Sequence, residues 1–240
     1  MRITEILKNV EHRTFKLPEG NWSYYQEWNN AIFLHWKVDV NQLKNLVPED
    51  LEIDLFENEA WVSVVAFTME RIRTRNLPSF PPISNFHELN IRTYVRYRGR
   101  PGVYFLSIEG GKLISCHVAK FLSDLPYRYS KIKRNNGSFI NNNSVSNDFI
   151  HLTFKIEDPK AEKTKLEKWL TERYVLFQDT DKAINEFDIH HIEWPIYEVD
   201  MNEINFNYPK FKSLLNSAPN LKQYSPGVQV IAWAKKQYPK

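Results

Sequence analysis

Between Phe86 and Val95 the chain reads Phe-His-Glu-Leu-Asn-Ile-Arg-Thr-Tyr-Val and alternates with a period of two. Successive side chains of a strand point to opposite faces. Leu89, Ile91, Thr93 and Val95 therefore share one face, and Glu88, Asn90, Arg92 and Tyr94 share the other. The apolar row needs a core to cover it. The polar row has two readings, a solvated outer face or the wall of a pocket in which a few placed groups orient a ligand. An acid, an amide, a guanidinium and a phenol in register suit a pocket but name no substrate.

The surrounding sequence extends the strand pattern. Ala31 to Trp36 reads as a strand, Asp39 as the cap of a short helix through Leu43 and Leu46, and Leu51 to Phe56 with Ala60 to Thr68 as a pair turning at 57–59. Trp61 to Phe67 is apolar on both faces, which predicts burial on both sides. The proline-bearing stretch 74–85 is long enough for a functional loop. Arg98 to Gly102 predicts a hairpin onto Val103 to Ile108. Ile114, Val118, Phe121, Leu122 and Leu125 fall on helical spacing, and Pro126 should end that helix. Further strands are expected at Tyr127 to Lys133, Phe149 to Ile156, Tyr174 to Phe177, Ile184 to Ile189, Pro195 to Val199 and Val228 to Trp233. Residues 141–148 read as a loop tip, and Asp158-Pro159 as the start of a charged helix. Residues 1–30 form a polar, aromatic-studded arm, and residues 31–240 a single domain. The class is α+β, a curved sheet or partly closed barrel with a few helices.

Composition narrows the function. A net charge of +3 over 240 residues is too mild for a nucleic-acid face, which needs clustered Lys and Arg. The nearest cluster, Arg128, Lys131, Lys133 and Arg134, would be spread over both faces of a strand. Cys116 is the single cysteine, which excludes an internal disulfide and fits a reducing, cytoplasmic compartment. Its neighbour His117 would point away from it on a helix, so Cys116 reads as structural. Residues 1–10 lack the apolar run of a signal peptide, and nothing approaches a membrane span. Gly110-Gly111 lacks the partner residues of a phosphate loop, and His191 with Glu193 falls short of a metal site. The expectation is therefore no cofactor, no metal, no nucleic acid and no membrane.

Several phrases in order carry a resemblance: Leu34-His35-Trp36, Ala60 to Val65, Glu88 to Val95, Gly99 to Phe105, Leu125-Pro126-Tyr127, Leu170 to Tyr174, His191 with Trp194-Pro195, and Tyr224 to Val228. Together they resemble the bacterial DUF2071, or YqjF-like, family over nearly the whole chain after residue 30. That family is in turn distantly similar to the acetoacetate decarboxylase superfamily. The resemblance implies an antiparallel cone-shaped β-barrel, an internal small-molecule pocket and a homo-oligomer. Acetoacetate decarboxylase uses a Schiff-base lysine and a second lysine after a Gly-x-Pro turn, with a glutamate on an earlier strand. Here the turn is Asp124-Leu125-Pro126, Glu88 stands for the glutamate, and the lysine positions fall on Tyr127 and Arg128. A phenol forms no imine and a guanidinium stays charged, so lysine-dependent decarboxylation is not expected.

What remains is Glu88 as acid or base, Tyr127 as hydrogen-bond donor, and Arg92 and Arg128 as anchors for a ligand carboxylate, joined by His35, Tyr94, Tyr174 and His191. Such a set would serve proton transfer beside a carbonyl, as in enolisation, hydration or dehydration of a compact oxo- or carboxylate-bearing metabolite. Three readings stay open: an enzyme, a binding protein without chemistry, and a filled barrel in which Glu88 and Arg92 neutralise each other.

Overall fold

The computed structural model describes residues 1–240, apart from the side chain of Leu122, which lay on the expected helical face and is outside the described residues. The alternating segments form strands and dominate the molecule. In chain order the elements are α1 (Ile3–Lys8), β1 (Tyr24–Val38), α2 (Val40–Lys44), β2 (Glu52–Ile53), β3 (Ala60–Thr74), α3 (Pro81–Ser84), β4 (Phe86–Tyr97), β5 (Arg100–Gly110), α4 (Leu113–Ser123), β6 (Tyr127–Tyr129), β7 (Lys131–Asn135), β8 (Ser138–Asn143), β9 (Asp148–Pro159), α5 (Lys165–Thr171), β10 (Val175–Asp179), β11 (Ala183–His190), β12 (Tyr197–Asn207), β13 (Leu221–Ala232) and β14 (Lys236–Pro239). Fourteen strands and few helices make a mostly-β member of the α+β class.

The strands join in the order β14-β11-β10-β5-β4-β3-β1-β13-β12-β9-β8-β7, and β11 also pairs with β13. That extra pairing closes seven strands, β11-β10-β5-β4-β3-β1-β13, into a ring. Within the ring, neighbours are antiparallel except at β10–β5, where Leu176 lies beside Val103 and Phe177 beside Tyr104. The β4–β5 hairpin turns on Arg98 and Gly99, both at positive φ (51° and 78°). Two such residues in succession match the right-handed twist of the strands they join.

The central strands are buried on both faces, as β3 predicted, because each face has its own core. Outside the ring, Leu34, Val64, Ile91 and neighbours pack against Phe139, Leu152 and Phe154 of β8 and β9, which fold back over the sheet. On the inner face Phe33, Val65 and Phe67 face Phe86, Trp194 and Val230. The period-two pattern thus sorts each strand between two apolar environments.

Several local expectations are corrected. β1 starts at Tyr24, so the arm ends seven residues before the expected 30. β2 pairs with β4, not β3, and only a Phe56–Glu59 bridge remains of the expected turn pair. The strand expected over Tyr127 to Lys133 is broken into β6 and β7 at Ser130. Asn141, Asn143 and Asp148 are buried rather than at a loop tip. Asp158-Pro159 ends β9; the helix α5 begins after Thr164, whose hydroxyl accepts from the Glu167 amide while the Glu167 carboxylate accepts from the Thr164 amide, a reciprocal cap.

Candidate functional site

The ring encloses a cavity of about 280 Å³ to which all seven strands contribute. Its walls are mainly apolar, with Phe33, Phe67, Phe105, Leu176 and Phe187 among them. The polar groups come from the inner row of β4: Glu88, Asn90 and Arg92 all line it and all are buried. Tyr94, next in that row, is capped by Trp169 and Leu170 and stops short of the cavity.

A one-residue bulge sets what lies opposite. Ile91 pairs with Ser107 but Arg92 pairs with Phe105, which leaves Leu106 as the extra residue of β5. Beyond the bulge Ile108 faces inward beside Asn90, and Ser107 and Glu109 face outward. β6 runs parallel to this end of β5, with Tyr127 beside Ile108 and Arg128 beside Glu109. Adjacent strand residues point to opposite faces, so Tyr127 enters the cavity and Arg128 leaves it. Arg128 is held outside the ring by Glu109 and Asp148, each at 3.0 Å. The expected second carboxylate anchor is therefore already neutralised and away from the cavity.

Inside, Tyr127 donates its hydroxyl hydrogen to Glu88 Oε2 at 2.8 Å, and the Asn90 amide donates to Glu88 Oε1 at 3.3 Å. Burial raises the Glu88 pKa to about 7 against the pull of those two donors. Both protonation states are then populated near neutral pH, as a general acid or base requires. Burial, and then the Glu88 charge, raise Tyr127 well above an ordinary phenol, which keeps it a donor.

Arg92 has no such partner. It is 9% exposed, and its polar contact is Nη2 donating to the Leu170 carbonyl at 3.3 Å. Its Nε is buried without an acceptor, as is the Asn90 Oδ1 without a donor. Among the described residues no carboxylate oxygen lies within 4.0 Å of the guanidinium. The neutralising Glu88–Arg92 pair considered from the sequence is not formed.

His35 and Tyr94 lie behind Arg92 rather than in the cavity. His35 Nδ1 is 2.6 Å from Ser63 Oγ, which is 2.6 Å from the Tyr94 hydroxyl, and Tyr94 donates to the same Leu170 carbonyl as Arg92. Burial and then the Arg92 charge push His35 down to about 3, so it stays neutral and supports the floor. His191 lines the cavity edge between Trp28 and Trp194, donates through Nδ1 to the Ile192 carbonyl, and is pushed down to about 4 by burial. Its neighbour His190 is buried too, beneath the arm, with Nε2 donating to the Ile6 carbonyl. Tyr174 lies outside the cavity lining and donates to Glu172. Cys116 is buried, its thiol raised to about 11 by burial. Among the described residues no group of three His, Cys, Asp or Glu side chains is placed to hold a metal, and no helix is long and apolar enough to cross a membrane.

Two residues that the sequence did not flag also reach the cavity. Arg173 follows α5 and adds a second guanidinium at the Arg92 end. Lys235, the one lysine among the lining residues, is ion-paired with Asp124 at the end of α4. Neither sits in a periodic pattern that could have pointed inward.

The profile of DUF2071, an uncharacterized conserved protein family, matches residues 25–229. This chain belongs to that family. It is 37% identical over 207 residues to the uncharacterized protein YqjF of Bacillus subtilis (strain 168), across 83% of this chain and 85% of that one. Among solved structures it is similar to acetoacetate decarboxylase from Legionella pneumophila, with a TM-score of 0.62 and 14% identity over 97% and 94% of the two chains. It is also similar to an acetoacetate decarboxylase-like enzyme from Sphingomonas wittichii RW1 (TM-score 0.60, 13% identity, 91% and 94%). The enduracididine biosynthesis enzyme MppR, solved in complex with pyruvate, gives a TM-score of 0.61 at 11% identity over 95% and 93%. These likenesses establish the fold. Within it, this DUF2071 chain places a phenol on the cavity side of β6 and a guanidinium on the other.

Proposed function

We propose that the seven-strand ring is the cone-shaped barrel of the acetoacetate decarboxylase-like fold and that its interior binds a small organic acid. The observation that carries this reading is Arg92, a buried guanidinium without a carboxylate partner, facing a mainly apolar cavity. A buried charge is costly unless paired, and a carboxylate matches the guanidinium fork. Glu88, poised near neutrality and aligned by Tyr127 and Asn90, supplies the proton transfer next to a carbonyl or hydroxyl of that acid. Enolisation, hydration and dehydration all need only this. Imine formation is disfavoured because Lys235 is held by Asp124.

A thermal-shift screen of oxo acids and aromatic carboxylates tests the site. A ligand at about a hundred times its Kd adds ~2.7 kcal/mol, a shift of roughly 5–11 °C for a domain of this size. The expected result is a hit lost in Arg92→Ala, followed by turnover lost in Glu88→Gln with affinity retained. Binding that survives Arg92→Ala would overturn the anchor. Turnover unchanged in Glu88→Gln would remove Glu88 from the chemistry, and a bound acid that never turns over would leave a binding protein.

A further inference from the structure

Glu88 and Arg92 are four residues apart on a strand that pairs with β3 without a break from Phe86 to Thr93. At about 3.3 Å of rise per residue their Cα atoms stand about 13 Å apart. Side chains of one face project roughly perpendicular to the sheet, and these two form no ion pair. The cavity therefore has two separate polar ends. Asn90 lies between them, level with Val65 and Phe33 on the next two strands.

The Arg92 end carries more positive charge than Arg92 alone. Arg173 donates through Nη1 to Asp54 at 2.7 Å and through Nε to the Trp169 carbonyl at 2.6 Å, while its Nη2 is buried without an acceptor. The same Asp54 also accepts from Arg96 at 2.8 Å. Arg173 and Arg96 thus share one carboxylate while Arg92 has none, and Arg92 and Arg173 both line the cavity with an unfilled N–H. The Glu88 end is different: one carboxyl group and one phenol, suited to an uncharged oxygen.

We infer that the ligand is an elongated amphipathic monocarboxylic acid, and not a two- or three-carbon oxo acid. Its carboxylate lies between Arg92 and Arg173, its apolar body crosses the Phe33–Val65 wall, and a hydroxyl or carbonyl oxygen meets Glu88 and Tyr127 on the order of 10 Å away. The 280 Å³ cavity has room for such a body, since it equals about nine water-sized groups at ~30 Å³ each. This inference rests on the organic-acid reading of the site.

Calorimetric titration of the full chain with pyruvate, 3-phenylpropanoate and 3-(4-hydroxyphenyl)propanoate tests it. The hydroxyphenyl acid should bind at least tenfold more tightly than pyruvate. Arg173→Lys, which keeps a cation beside Asp54, should weaken that acid about tenfold. Removing the distal hydroxyl should weaken binding several-fold in the native chain but not in Tyr127→Phe. Pyruvate binding as tightly as the long acids, and still dependent on Arg92, would overturn the elongated ligand while leaving the acid site standing. No binding by any of the three acids, with Arg92→Ala indistinguishable from the native chain, would overturn both.

Discussion

At the scale of single residues, burial sets the protonation of the interior with two opposite signs. Glu88 holds its proton more tightly in the folded chain than in the unfolded one, where its value is 4.5. The folded state therefore binds more protons between pH 4.5 and about 7, and stability falls as pH rises through that window. His35, His190 and His191 are pushed the other way, to about 3, 4 and 4, so their contribution is lost as pH falls below 6.5. A comparison of the native chain with Glu88→Gln isolates the first effect. The variant should gain stability relative to the native chain between pH 5 and pH 8, by on the order of 3 kcal/mol at the upper end. Urea unfolding at those pH values measures it, and parallel curves for the two proteins would contradict the raised Glu88. Tyr127→Phe should move the Glu88 titration higher still, since it removes a donor that favours the anion.

At the scale of elements, the parallel seam between β5 and β10 depends on a missing side chain. A Cβ on Gly102 would stand 2.6 Å from the Val175 carbonyl oxygen and 2.7 Å from the Phe177 ring. Gly102→Ala should cost about 2–3 kcal/mol through this overpacking, read as a lowered urea midpoint; an unchanged midpoint would show that the seam yields freely. Elements with a local signature could be read from the sequence. The inner row of β4, the Arg98-Gly99 turn and the helix ended by Pro126 all show in it, because period and turn chemistry act between near neighbours. The Thr164-Glu167 cap is equally local, but Asp158-Pro159 carries a competing helix-start signal six residues earlier. The β2–β4 pairing is not legible, because pairing across about forty residues leaves no local mark. The resemblance puts Arg128 in the pocket beside Tyr127, yet adjacent strand residues cannot share a face. Arg173 could not be found at all, since it meets Arg92 only once the ring has closed.

At the scale of the whole molecule, the ring has one narrow join. β11 and β13 meet through Ile189–Ala232 and His190–Ile231 alone, whereas β1 pairs with β13 from Tyr24 to His35. The arm covers that join. Ile6 is buried against Tyr25, Ile231 and Trp233, and Arg13 donates to the Ile189 carbonyl and contacts His190. Removing residues 1–18 should therefore speed amide exchange at His190 and Ile231 at least tenfold, with little change in the middle of β1. Equal exchange in both forms would make the arm a passive covering.

The β1–β13 pairing also has a consequence in time. Once made, β1 must wait for β13. At 5–20 residues per second of synthesis, the roughly 190 residues between them take on the order of 10–40 s. Throughout that interval one edge of β1 lacks its partner, an opening for association with other chains. Ribosome-stalled chains ending before Leu221 should be cut by protease within β1, and chains whose β13 has cleared the exit tunnel should resist. A chamber whose wall joins β1 to β13 cannot receive a ligand until the ribosome has passed Ala232.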